Sequence, residues 1–204
     1  MNFKEQIIEL EQDITSDIYL LKEGIVPIVI TAVHTMPQKR ANGRFKLNEP
    51  FTKAITKYVS NQVGASYFIK IKDNGIETNC APMDEFKHKL LNYVKDNNIK
   101  LVLDIHGAKK ERAYDVEVGT LNHLSAKEET IASLVNSFKK NNILNIVHNE
   151  SFKGGGITKT IYGNTNTEVI QMEINKKYRN LDDIDNMKKI CDALIEFINI
   201  YNNK

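Results

Sequence analysis

Hydrophobic and polar positions along this chain switch repeatedly between a two-residue period and a period of three to four. Residues 25–33 form a β-branched apolar run that ends at His34, and Pro50 then opens a pattern through Phe51, Ala54, Ile55, Tyr58 and Val59 at helical spacing. Strand patterns recur at 66–71, 101–105, 143–147 and 169–174, and helical ones at 83–94 and 129–138. Over 83–94 the residues Phe86, Leu90, Leu91 and Val94 share one face. The last helix carries Ile184, Met187, Ile190, Cys191, Leu194, Phe197, Ile198 and Tyr201 along its length, with Asp182 or Asp183 placed to cap its N-terminus. Such alternation predicts an α/β fold in three layers, with a mixed and largely parallel sheet covered by helices on both faces. The run Gly154-Gly155-Gly156 predicts a flexible or tightly turned loop, because glycine takes positive φ without a Cβ penalty.

Composition narrows the classes. At 204 residues, with 41% hydrophobic and 26% charged residues, the chain has the make-up of a folded protein, and a single domain spanning 1–204 is expected. The net charge of +2 comes from 28 basic and 26 acidic residues spread along the whole length, which gives nucleic acid no basic face to bind. Short runs such as Lys109-Lys110 and Lys139-Lys140 read as solvated helix faces. The first residues, MNFKEQIIELEQD, lack the apolar core of a secretory signal, and the run at 25–33 is far shorter than the roughly 20 residues that cross a bilayer. Two cysteines, Cys80 and Cys191, make neither a disulfide framework nor a cysteine metal site, so a cytoplasmic location is expected.

In an open α/β sheet, ligands bind beyond the carboxyl ends of the strands. His34 ends the first long strand pattern, His106 ends the one at 101–105, and Glu173 stands near the end of 169–174. Asp104 lies two residues before His106 and so on the same face, where it could orient the imidazole. The next residue, Gly107, is expected to remove side-chain bulk beside the ligand. Two imidazoles and a carboxylate make the three-ligand zinc site that leaves a fourth position open for water. Glu49 is the candidate acid, but an acid just before a helix is also stabilised by the helix dipole, and spacing alone does not choose between the two roles. In 168–175, Ile170, Met172 and Ile174 share one face while Gln171, Glu173 and Asn175 share the other. A sheet covered on both sides leaves such a polar face to line a cavity, where a carboxylate serves as a general base for water. His88 and His123 read as solvated, and His148 as a reserve ligand.

These residues fall in motifs. FKGGGITKTIYG at 152–163, followed by IQMEIN at 170–175, resembles the glycine-rich loop, tyrosine-glycine pair and glutamine-x-glutamate strand of the N-formylglutamate amidohydrolase family. AVH at 32–34, LDIHG at 103–107 and DVEVG at 115–119 are similar to further segments of that family. The resemblance implies a zinc-carboxypeptidase-like α/β fold, one zinc per chain held by His34, Glu49 and His106, and Glu173 as the group that activates water. Where family enzymes acting on amino-acid derivatives carry an asparagine-arginine pair, this chain has Asn79-Cys80.

The function expected is therefore hydrolysis of an N-acyl, formylglutamate-like amide by metal-activated water, on a small N-acyl amino-acid or short peptide substrate. Arg44 or Arg40 is expected to stabilise the developing oxyanion, with Asn79, Lys159 and Arg40 as substrate-binding candidates. A thiol at position 80 cannot make the bidentate contact that guanidinium makes with a carboxylate, so free N-formylglutamate is expected to be a poor substrate. The competing readings are a zinc carboxypeptidase-like peptide hydrolase and a catalytically silent ligand-binding relative. A phosphate-cradling role for the glycine run lacks both the P-loop ending and the GxGxxG order.

Overall fold

The computed structural model describes residues 1–12 and 17–203. In chain order the elements are α1 (Phe3–Gln12), β1 (Tyr19–Lys22), β2 (Ile28–Ala32), β3 (Gln38–Lys39), β4 (Phe45–Lys46), α2 (Thr52–Val63), β5 (Ser66–Lys70), α3 (Glu85–Asp96), β6 (Leu101–Ala108), β7 (Val116–Gly119), α4 (Glu128–Lys140), β8 (Ile146–His148), α5 (Gly156–Tyr162), β9 (Glu168–Asn175) and α6 (Ile184–Asn202). Seven strands form one sheet in the order β1-β5-β2-β6-β9-β7-β8, and β3 pairs with β4 as a separate hairpin. The central strands β5, β2, β6 and β9 are parallel, while β1 and β7 join antiparallel to β5 and β9. The expected α/β architecture, a mixed and mostly parallel sheet with helices on both faces, is the one observed.

Strand alternation divides the core between the two helical layers. Ile28, Ile30, Leu101, Leu103, Ile105, Ile170, Met172 and Ile174 pack toward the helices α2, α4 and α6, joined by Ile7 of α1. Val29, Val33, Val102 and Val169 face the opposite way, onto Phe86, Leu90 and Leu91 of α3 and Ile157 and Ile161 of α5. On this second face the apolar residues give out partway along the strands. Asp104 and His106 follow Val102 on β6, and Gln171, Glu173 and Asn175 follow Val169 on β9. All five are buried, so the carboxyl halves of the central strands present polar side chains to an enclosed space.

Local chemistry sets the helix ends. Asp84 accepts from Lys87 N at 2.9 Å, and Asp183 accepts from Asn186 N at 3.2 Å, which caps α3 and α6. α2 starts two residues after Pro50, with Phe51 left-handed at φ 65° and its N-terminal amides held from outside: Glu11 of α1 accepts from Phe51 N and Ala54 N. Several elements depart from the sequence expectations. The strand expected at 25–33 begins only at Ile28, because Ile25 is 93% exposed and Pro27 donates no backbone hydrogen bond. The sequence pattern predicts none of α1, β1, the β3–β4 hairpin, β7 or α5. α1 places Phe3, Ile7 and Leu10 inward at helical spacing within a stretch of charges, and β7 is only four residues long, antiparallel to β9. Within the glycine run, Gly156 is already the first residue of α5, and Gly154 makes the turn at φ +121°.

Candidate metal centre

Three parallel strands deliver the site. His34 follows β2, His106 lies on β6, and Glu173 lies on β9 as the register partner of His106. Glu49 reaches them from the segment before α2 and is tied to both histidine segments. Its backbone N donates to His34 O at 2.7 Å, and its Oε2 accepts from Gly107 N at 2.8 Å. His34, Glu49 and His106 are all buried, and a ligand atom from each lies within 4.8 Å of the others.

The hydrogen bonds dictate which imidazole atoms face the centre. His106 Nε2 lies 2.9 Å from Asp104 Oδ2, and His34 Nε2 lies 2.7 Å from Glu77 Oε1. A carboxylate only accepts, so the acid behind each ring holds a proton on Nε2, and Nδ1 is the atom each ring turns toward the centre, free to offer its lone pair once a cation stands there. The two Nδ1 atoms are 3.1 Å apart, with Glu49 Oε1 3.1 Å from that of His34 and Glu49 Oε2 3.4 Å from that of His106. Two nitrogens and a carboxylate this close together must share either protons or a cation. The donor set of two imidazoles and one carboxylate, each imidazole backed by a second carboxylate, fits a zinc-type ion.

Without the ion, protons answer the same electrostatics. Burial opposes charge on His106, but Asp104 and Glu49 outweigh it and hold its pKa well above the usual value. Burial likewise opposes an ionised Glu49, yet its contacts with His106 and His34 push its pKa well below the usual range. Burial acts against charge on Glu77 as well, but hydrogen bonds from His34 and Cys80 and the charge of Arg40 bring it down to about 2. Glu173 is the exception. Burial carries its pKa to about 7, against the pull of His106.

The other sequence candidates are distributed unevenly. Arg40 Nε lies 3.5 Å from Glu77 Oε2 and lines a cavity of about 560 Å³ with Ile76, Glu77, Cys80 and Pro82. Arg44 is exposed in the β3–β4 hairpin. Asn79 Oδ1 accepts from Gly156 N at 2.6 Å, stapling the loop after β5 to the start of α5. Lys159 is not in the glycine loop but on the exposed side of α5. His148 sits apart with Thr120 and His123, not with the buried cluster. The reason offered for Gly107 also changes: a Cβ there would come within 2.3 Å of the guanidinium of Arg179. That buried arginine donates to Ile174 O, Pro50 O and Ala108 O, tying together the ends of β6 and β9 and the segment before α2.

Glu77 escaped the sequence reading because KDNGIETNCAP has neither period to place it. Its one signal is an acid two residues before Asn79, in the loop that follows a buried strand.

Fold and site define a three-layer α/β protein with a buried His-Glu-His candidate metal centre at the carboxyl edge of its parallel strands. Within that class, residues 84–178 match the N-formylglutamate amidohydrolase family, the one to which the motifs point. That segment holds His106 and Glu173 but neither His34, Glu49 nor Glu77. Among solved structures the chain is similar to an N-formylglutamate amidohydrolase from Ralstonia eutropha JMP134, with TM-score 0.68 and 11% identity over 91% of this chain and 98% of that one. It is also similar to the gene product Atu2144 from Agrobacterium tumefaciens, with TM-score 0.62 and 8% identity over 91% and 95%. A bacteriophage poly-gamma-glutamate hydrolase matches with TM-score 0.55 and 13% identity over 94% and 93%. At these identities the structural likeness carries the fold alone. No curated protein matches the sequence.

Proposed function

We propose that this chain is a zinc-dependent amidohydrolase that cleaves an N-acyl, formylglutamate-like amide bond. His34, Glu49 and His106 would hold one zinc per chain, and Glu173 would act as the general base. The observation that carries this reading is the convergence of two Nδ1 atoms and the Glu49 carboxylate at one buried point, each imidazole anchored behind by its own acid.

When bound, zinc supplies Lewis acidity, polarising the scissile carbonyl and making water easier to deprotonate. The chain's own residues do the rest. Glu173 accepts the proton of the attacking water and returns it to the departing amine; a carboxyl group poised near neutrality suits both transfers. Arg40, better placed than Arg44, is the cation available to the substrate in the cavity beside Glu77. Cys80 lines the same cavity, where a thiol gives a carboxylate no planar fork. Free N-formylglutamate is accordingly expected to be a poorer substrate than derivatives whose α-carboxylate is masked.

Elemental analysis of the purified protein, coupled to hydrolysis of N-formyl-L-glutamate, N-acetyl amino acids, their α-amides and γ-glutamyl peptides, tests the reading. About one zinc per chain with turnover of an N-acyl compound supports it. Turnover of γ-glutamyl peptides alone moves it to a peptide hydrolase, in keeping with the fold shared with the poly-gamma-glutamate hydrolase. Metal-free protein that takes up no zinc and hydrolyses none of the panel overturns it.

A further inference from the structure

Gln171 lies on β9 two residues before Glu173, on the same face of the sheet, and is buried. Its carboxamide is engaged at both ends. Oε1 accepts from Gly155 N at 2.5 Å, and Nε2 donates to Glu173 Oε1 at 3.0 Å. Chemistry fixes this orientation: a backbone N–H only donates, so the oxygen must face Gly155, and the amino group then falls on the carboxylate. The flipped amide would set donor against donor at one end and oxygen against oxygen at the other.

The loop gripped by Gln171 is clamped from other sides as well. Glu117 of β7, whose register partner is Glu173, accepts from Ser151 N at 2.5 Å and Phe152 N at 2.7 Å. Asn79 holds Gly156 N, and a Cβ at Gly155 would come within 2.4 Å of the Asn79 side chain, so the backbone is seated as close as glycine permits. Leu121 N donates to Lys153 O at 2.5 Å from a turn in which Leu121, Asn122 and His123 are all left-handed. Of these clamps, only Gln171 donates to Glu173.

We propose that Gln171 is a positioning residue that couples the glycine-rich loop to Glu173: it holds Oε1 of the carboxylate, leaves Oε2 to exchange the proton, and keeps the side chain in place only while the loop is seated. This inference rests on the reading of Glu173 as the base. Two substitutions take the coupling apart. Gln171→Met keeps the length and loses both hydrogen bonds, whereas Gln171→Glu keeps an acceptor for Gly155 and loses the donor to Glu173.

Both variants and Glu173→Gln would be compared with the parent as zinc-loaded protein, on whichever of N-formyl-L-glutamate, N-acetyl-L-glutamate or a γ-glutamyl peptide the parent turns over fastest. Misplacing a catalytic group by an ångström costs up to about a hundredfold, so Gln171→Met should lower kcat by roughly 10- to 100-fold with KM within about threefold. The acid limb of its kcat/KM profile should move up by about one pH unit, because a hydrogen bond to the charged form has gone. Gly155 N–H should exchange at least about tenfold faster in the Met variant and near the parental rate in the Glu variant, as loss of one anchoring hydrogen bond implies. Gln171→Glu should still lose turnover.

Parental kcat and acid limb in either variant, with Glu173→Gln inactive, overturn the coupling and leave the base in place. An active Glu173→Gln overturns the reading beneath it. If the Met variant fails to fold, the Glu variant decides on the same measures. If the parent turns over none of the probes, parental Gly155 exchange in the Met variant overturns the link, and faster exchange supports it.

Discussion

Two histidine pairs in this molecule have nearly the same internal geometry and very different surroundings. His34 and His106 have ring centroids 4.8 Å apart at 68°, and His123 and His148 have theirs 4.3 Å apart at 67°. In the first pair both rings are buried and both outward nitrogens meet buried carboxylates. In the second, His123 is half exposed and its partner Glu128 more so, while His148 bonds to the Thr120 hydroxyl. Burial lowers the pKa of His148, and the neighbouring His123 lowers it further. For His106, burial acts the same way but the acids reverse the outcome. A pair of imidazoles is therefore not enough for a metal site. The buried pair adds what the exposed one lacks: a carboxylate behind each ring to orient it, the Glu49 carboxylate in front, and burial that strengthens the demand of these groups for a shared positive charge.

The comparison breaks first at the ligands. His34→Ala and His106→Ala are each expected to reduce the zinc content of purified protein to background, measured by elemental analysis, while His123→Ala and His148→Ala retain it. Equal retention in all four variants would remove the distinction between the pairs.

Glu173→Gln should keep the zinc and the fold and lose roughly a hundredfold or more in turnover, the usual cost of removing a positioned general base. If zinc is lost along with activity, Glu173 is a ligand.

The acids behind the rings come next in size. Glu77→Gln and Asp104→Asn should each weaken zinc binding by about 10- to 100-fold in a competitive chelator titration, as expected for partners that orient a ligating histidine. Unchanged affinity in both would mean that burial alone distinguishes the two pairs.

A smaller effect concerns stability without metal. The folded pKa of Glu173 is raised to about 7, so its contribution is fully present below the ordinary carboxylate pKa and is lost as pH rises through about 7. Above that range the ionised, buried carboxylate destabilises the metal-free protein. Glu173→Gln should therefore stabilise metal-free protein at pH 8 by about 2–3 kcal/mol in chemical denaturation and by much less at pH 4, since each pKa unit is about 1.4 kcal/mol. A gain that does not depend on pH would contradict this. At His123 the alanine change should move stability by no more than about 0.5 kcal/mol, as for an exposed side chain.

Sequence by itself determined the layers and which residues stand toward the carboxyl ends of the central strands. The apolar runs at β2 and β6, the alternation at β9 and the helical runs at α3, α4 and α6 are long enough to declare themselves, and a residue at the end of a parallel strand is already at the binding edge. That is why His34, His106 and Glu173 were legible, as was the buried polar face of Gln171, Glu173 and Asn175. Tertiary structure alone brings Gly107 N, His34 and His106 around the Glu49 carboxylate, a gathering that its place before a helix does not foretell. It alone found Glu77, 43 residues from the imidazole it holds, and Arg179, whose guanidinium occupies the space that Gly107 leaves. The physical reason is the same in each case: periodicity records which way a side chain points from its own strand or helix. What meets it there is set by loops whose backbone is fixed through hydrogen bonds to distant residues, and those bonds leave no local pattern.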